Sequence, residues 1–229
     1  MTTPATIDYP TEGVWRLGRG PDPLRFRSPE PVSTAHHGAG NRFDSFHGNY
    51  GILYAATEAR SCFAECLARF RPNPRLADIV RTAWSENGWM SVGSVPADWR
   101  NSRVLARVGI DGPLPFVDVT ASETVEAFRS APQISSWLES FGVAEFDLSE
   151  IMGRDRRVTR LLSQWVAESV DDEDLPAYGG IRYMSRLGLD YECWAIFQGS
   201  QLVELERRSL LNSDEDLCSV ARTYGLTVH

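Results

Sequence analysis

The sequence predicts an α+β fold. Three strand-like segments, GGIRYMS at 179–185, ECWAIFQG at 192–199 and QLVELERR at 201–208, follow one another with no crossover helix between them, which excludes a regularly alternating βαβ chain. A hydrophobic fraction of 42% and a charged fraction of 24% over 229 residues are ordinary globular values, enough for a substantial core in a single domain.

Taken in order, residues 1–12 read as a loose N-terminal tail and GVWRLG at 13–18 as a short strand. Residues 20–48 are rich in Gly, Pro, Ser and His without periodicity, a long loop of the kind that is functional or mobile. YGILYAAT at 50–57 is a compact apolar strand. Thr57 is the expected N-cap of the helix that follows, in which Ala59, Phe63, Cys66, Leu67 and Phe70 keep helical spacing until Pro72 and Pro74 stop it. GWMSVGSV at 88–95, SRVLARVGI at 102–110 and PFVDVT at 115–120 read as strands, SETVEAFRS at 122–130 and RDRRVTRLLSQWVAESV at 154–170 as helices. After the three late strands a short helix is expected around Asp214 to Thr223.

The chain carries 23 Lys+Arg against 31 Asp+Glu, a formal net charge of −8, with no basic run. That balance argues against nucleic acid as a partner, so an anionic ligand has to be held by local cations. No segment approaches the ~20 apolar residues of a membrane span, and MTTPATIDYPTEG lacks the basic-then-apolar pattern of a signal peptide. The expectation is a cytoplasmic protein with no membrane partner. Cys62, Cys66, Cys193 and Cys218 form neither a disulfide framework nor, without a nearby histidine, a zinc set, and no metal is expected.

Among chemistry-bearing residues, Gly38-Ala39-Gly40 opens no helix and is followed by no lysine, which fits neither a Walker loop nor a dinucleotide fingerprint. No serine lies in a GxSxG setting. His36 and His37 read as solvated loop residues; His47, near Arg42 and the next strand, has a slightly better case for acid–base work. Arg16 interrupts an apolar strand, where it either faces solvent or needs an anion. Glu65 on helix pattern alone reads as an exposed i,i+4 partner of Arg69, and Ser185 as a turn former at a strand end.

A family resemblance adds to this. VWR at 14–16, NRF at 41–43, ILYAAT at 52–57 running into SCFAECLARF, FVDVT at 116–120, GGIRYMSRLG at 179–188 and CWAIF at 193–197 occur in the order of the RES-domain family, which the chain resembles over most of residues 14–198. The family is named for its Arg, Glu and Ser and includes toxins of bacterial toxin–antitoxin pairs. The resemblance implies a single domain over 13–200 similar to the ADP-ribosyltransferase fold, with a central, mostly antiparallel split sheet and flanking helices. It further implies a long insertion between Glu65 and Ser185 and a C-terminal extension, 201–229, packed on the same domain. It points to Arg16, Glu65 and Ser185 as catalytic residues, and to Arg16, Arg42 and Tyr54 as the residues that bind NAD⁺, the substrate whose nicotinamide–ribose bond is cleaved. It implies a cognate antitoxin as partner; self-association is left open. A protein ADP-ribosyltransferase using the same pocket and a catalytically silent binding domain are the alternatives.

Overall fold

Two strands buried on both faces organise the structure, a computed structural model that describes residues 2–32, 37–72 and 92–229. Strand β3 (Ile52–Ala56) pairs antiparallel with β8 (Glu192–Phe197), from Ile52 opposite Phe197 to Ala56 opposite Cys193. Their unbroken apolar runs reflect this double burial: Leu53, Ala55, Trp194 and Ile196 face one core, Ile52, Ala56, Cys193 and Ala195 the other.

The remaining elements are β1 (Thr6–Ile7), β2 (Val14–Arg19), α1 (Ala59–Leu67), a 3₁₀ turn (Ala68–Phe70), β4 (Ser94–Val95), α2 (Ala97–Asn101), β5 (Arg103–Asp111) and β6 (Phe116–Asp118). They continue with α3 (Ser122–Arg129), α4 (Pro132–Ser140), α5 (Leu148–Met152), α6 (Arg156–Ala167), β7 (Gly180–Met184), β9 (Gln201–Ser209), α7 (Glu215–Tyr224) and β10 (Thr227–Val228). Among the described residues the central sheet runs β1-β6-β7-β8-β3-β2-β5-β9, with β6–β7 its parallel pair. The expected α+β class with a mostly antiparallel central sheet and flanking helices is what the chain adopts. β2 follows β5 over its whole length, yet meets β3 at a single register pair, Trp15 with Ala56. The sheet is therefore split between β2 and β3, and the helix α1 leads away from that split.

Several expectations need correction. The first residues are not a loose tail: β1 pairs with β6, and Tyr9, 5% exposed, packs its ring on Phe116 and Trp194 and donates to the carbonyl of Val108 at 2.7 Å. The second face of the sheet needs cover, and this segment supplies it. Thr57 does not cap α1. Its hydroxyl donates to Glu192 and accepts from the indole of Trp194, a long-range pairing that outcompetes the local cap. The interval between Glu65 and Ser185, expected to hold a long insertion, carries β5, β6 and β7 of the central sheet. β9 is likewise a strand of that sheet, paired with β5, and α7 packs on α1. Of the strand expected over 88–95, residues 88–91 lie outside the described residues, and Ser94–Val95 pair in parallel with Thr227–Val228. The helix expected over 154–170 spans Arg156–Ala167, capped by the Asp155 carboxylate on the Arg157 N–H. Among the described residues no helix is long and apolar enough to cross a membrane.

The cover of the second sheet face yields a prediction. Tyr9→Ala should lower unfolding stability in urea by about 3 kcal/mol, the usual scale for emptying a buried aromatic site, whereas Tyr9→Phe should cost about 1 kcal/mol for the lost hydrogen bond to Val108. An unchanged midpoint in Tyr9→Ala would show that the N-terminal segment contributes nothing to the core.

Candidate functional site

The site is assembled from four parts of the chain around the split in the sheet. On β2, the Arg16 guanidinium crosses to β3 and donates from Nη1 to the carbonyl of Tyr54 at 2.6 Å and from Nε to the carbonyl of Pro23 at 3.4 Å. With β2 and β3 diverging past Trp15, a side chain takes the place of a backbone ladder bond there.

Tyr54 turns that contact into a link. Its hydroxyl donates to Asp44 Oδ1 at 2.9 Å and accepts the N–H of Phe43 at 3.0 Å, while Asp44 Oδ2 accepts the N–H of Asn41 at 2.7 Å. Burial first, then the Asp44 carboxylate, holds the Tyr54 phenol well above its ordinary range, so it remains a hydrogen-bond donor. Residues 41–44 are thereby folded into a turn that carries Arg42.

Helix α6 clamps the same loop from the other side. Arg160, 2% exposed, donates from Nε to the carbonyls of Asp44 and Ser45 at 3.2 Å each, and from Nη2 to those of Ser45 and Glu30. Ser163 Oγ donates to the carbonyl of Phe43 at 2.6 Å, and Gln164 Oε1 accepts from Ser45 Oγ and from the N–H groups of Phe46 and His47. The spacing of Arg160, Ser163 and Gln164 at i, i+3 and i+4 on one helix was the available signal for this clamp. His47 itself is exposed, His37 is exposed and offers its carbonyl to the N–H of Arg156, and His36 lies outside the described residues.

Held this way, Arg42 is 6% exposed and has no carboxylate within 4 Å among the described residues. Its guanidinium rests 6.0 Å from the centre of the Tyr183 ring and touches Met152 Sδ at 3.7 Å. Burial pushes its pKa down to about 10. Arg186 and Arg156 push the same way, while Tyr183 and Glu65 oppose them, so the charge is still present at neutral pH.

Glu65 and Ser185 meet directly. Ser185, 1% exposed at the end of β7, donates from Oγ to Glu65 Oε1 at 2.5 Å across 120 residues of sequence, and its Oγ accepts the N–H of Leu187 at 3.0 Å. Glu65 is exposed on α1 and makes no ion pair with Arg69, so the i,i+4 reading of that helix face is corrected: the carboxylate turns to Ser185 instead. A cavity of about 500 Å³ opens beside the pair, with Ser185, Arg186, Arg154 and Met152 in its wall. Among the described residues no cluster of His, Cys, Asp or Glu is arranged to hold a metal ion. The sequence reading missed Asp44, Tyr183, Arg160 and Gln164, which tie these residues together.

The buried, unpaired charge of Arg42 has a measurable cost. Arg42→Met should raise the stability of the ligand-free protein by on the order of 1–3 kcal/mol in urea unfolding, because a guanidinium without a counter-charge leaves the interior. A loss of stability would mark Arg42 as a structural residue.

The family model described as the RES domain matches residues 14–215. No curated protein matches the chain. A solved structure to which it is similar, the crystal structure of the M. tuberculosis MbcT–MbcA toxin–antitoxin complex, shares 12% identity, with 96% of this chain and 90% of that chain covered and a TM-score of 0.45. With the family match spanning the elements that carry Arg16, Arg42, Tyr54, Glu65 and Ser185, the chain belongs to the RES-domain family.

Proposed function

We propose that this protein cleaves the nicotinamide–ribose bond of NAD⁺, passing ADP-ribose to water or phosphate, and that it acts as a toxin held in check by a cognate antitoxin. The observation that carries the reading is the Ser185–Glu65 hydrogen bond at the wall of a cavity next to a buried arginine that no carboxylate neutralises. Family membership supports the same chemistry.

In this reaction the C1′–N bond breaks, nicotinamide leaves with the bonding pair, and the ribose acquires oxocarbenium-like positive charge. An acceptor oxygen then bonds to C1′ and loses its proton. A carboxylate that is already oriented stabilises the charge where it develops, and so acts more on the transition state than on the bound substrate. Ser185 fixes that orientation: its hydroxyl is itself locked by the Leu187 N–H and has one direction left in which to donate, towards Glu65. Arg42 and Arg16 supply cations for the diphosphate, whose oxygens match the guanidinium fork. Tyr54 serves them both through its carbonyl and its hydroxyl. Tyr54, which the resemblance makes an NAD⁺-binding residue, thus acts through the anchoring of its neighbours, its hydroxyl being engaged by Asp44 and Phe43.

Two variants test the assignment. Glu65→Gln should lower nicotinamide release from NAD⁺ by about 10²–10³-fold with little change in KM, the scale for losing an electrostatic stabiliser. Wild-type turnover in a folded Glu65→Gln protein would remove Glu65 from the chemistry. Arg16→Lys retains the charge but can reach one of the two carbonyls that the fork now spans, so KM for NAD⁺ should rise about tenfold. An unchanged KM would make Arg16 a strand-to-strand brace and nothing more.

A further inference from the structure

β2 and β3 share one register pair, Trp15 with Ala56, and past it side chains take the place of the ladder. Arg16 reaches from β2 to the carbonyl of Tyr54 on β3. Cys62 reaches from α1 to β2, its Sγ donating to the carbonyl of Trp15 at 3.0 Å across 47 residues of sequence. That carbonyl belongs to the peptide unit joining Trp15 to Arg16, so the thiol grips the backbone of the residue whose guanidinium crosses the gap. The thiol bonds of Cys193 and Cys218 are local by comparison, to the carbonyls of Tyr191 and Asn212, two and six residues away.

Cys62 is 6% exposed, on a helix that packs against β2. Burial, then the neighbouring Cys66 thiol, pushes its pKa up to about 12, while the Arg16 guanidinium and the N–H groups of Leu17 and Ala56 oppose the rise without cancelling it. The group is therefore a neutral S–H donor at physiological pH. Leu17 follows Arg16 on β2 and Ala56 ends β3, so the sulfur lies at the mouth of the split with a strand on either side. Glu58, the N-cap residue of α1, makes no side-chain cap bond, which leaves the seating of the helix to contacts further along it. Glu65 lies three residues beyond Cys62, about one turn of helix. One sulfur thus joins the strand that carries Arg16 to the helix that carries Glu65.

We infer that Cys62 is a positioning residue: by tying the Arg16 peptide to α1 it fixes where the Arg16 guanidinium stands relative to the Glu65 carboxylate. A dinucleotide presents its diphosphate and its reacting ribose carbon at a set separation, and a cation and a carboxylate held in register meet both at once. The inference rests on the proposed NAD⁺ cleavage for the identity of that ligand, while the tether itself stands on the hydrogen bond from Cys62 to Trp15.

Two measurements on the full-length protein test it. The Raman difference spectrum between wild type and Cys62→Ala isolates the Cys62 S–H stretch, which should lie below the frequency of a free thiol. Steady-state kinetics with NAD⁺ then separate positioning from support of the fold. Cys62→Ala should raise KM for NAD⁺ about fivefold, the scale of one lost hydrogen bond, with kcat within about twofold of wild type. Cys62→Ser, which keeps a donor at the site, should restore KM to within about twofold. In an Arg16→Lys background Cys62→Ala should add less than about twofold to KM, because the group it positions is already altered. A free-thiol band overturns the tether. An unchanged KM in Cys62→Ala, a fall in kcat alone, or a full fivefold rise on top of Arg16→Lys overturns the positioning role and leaves Cys62 a packing residue. A hydrogen-bonded thiol in a wild-type protein that leaves NAD⁺ intact upholds the tether while the proposed reaction falls.

Discussion

The buried guanidinium of Arg42 sets the terms for the rest of the site. An arginine that is 6% exposed with no carboxylate beside it must be held by force of its surroundings, since burial disfavours the charged form. The surroundings do this from two sides. Tyr54 and Asp44 fold the 41–44 turn from the sheet, and Arg160, Ser163 and Gln164 fasten the same loop from α6. Almost every polar group in this frame is satisfied by another part of the frame, so Arg42 is left as the charge with capacity to spare.

That asymmetry is how a protein with a net charge of −8 can present a cationic cleft. The sheet contributes the opening. Because β2 leaves β3 after one shared pair, Arg16 can reach across the gap, and α1, which begins just beyond β3, brings Glu65 to the end of β7 where Ser185 waits. Guanidiniums thus stand near a carboxylate without neutralising it, an arrangement suited to the proposed substrate, which carries negative diphosphate and develops positive charge on its ribose.

The parts of this architecture that depend on local pattern were legible in the sequence. β3 and β8 announce themselves as unbroken apolar runs because both of their faces are buried, and the stripe Val158, Leu161, Leu162 and Val166 marks α6. What depends on distant partners was not. Thr57 looks like a helix cap until Trp194 and Glu192 claim its hydroxyl; the N-terminal segment looks loose until its packing of Tyr9 on Phe116 and Trp194 is known. Helix α4 had a signal, Pro132 at its first turn and Ile134 and Leu138 one turn apart, but too little apolar content to stand out. Of the site, pattern alone gave Glu65 an exposed pairing with Arg69, and the resemblance to the family singled it out. Its hydrogen bond to a serine 120 residues away could not be read from spacing.

The central claim is that the cleft breaks the glycosidic bond of NAD⁺. Its most direct test is to incubate the purified protein with NAD⁺, with and without inorganic phosphate, and to identify the products by liquid chromatography and mass spectrometry. The account predicts nicotinamide in equal amount to free ADP-ribose or its phosphorylated form, with no gain in the mass of the protein. Intact NAD⁺ after prolonged incubation with folded protein would contradict it.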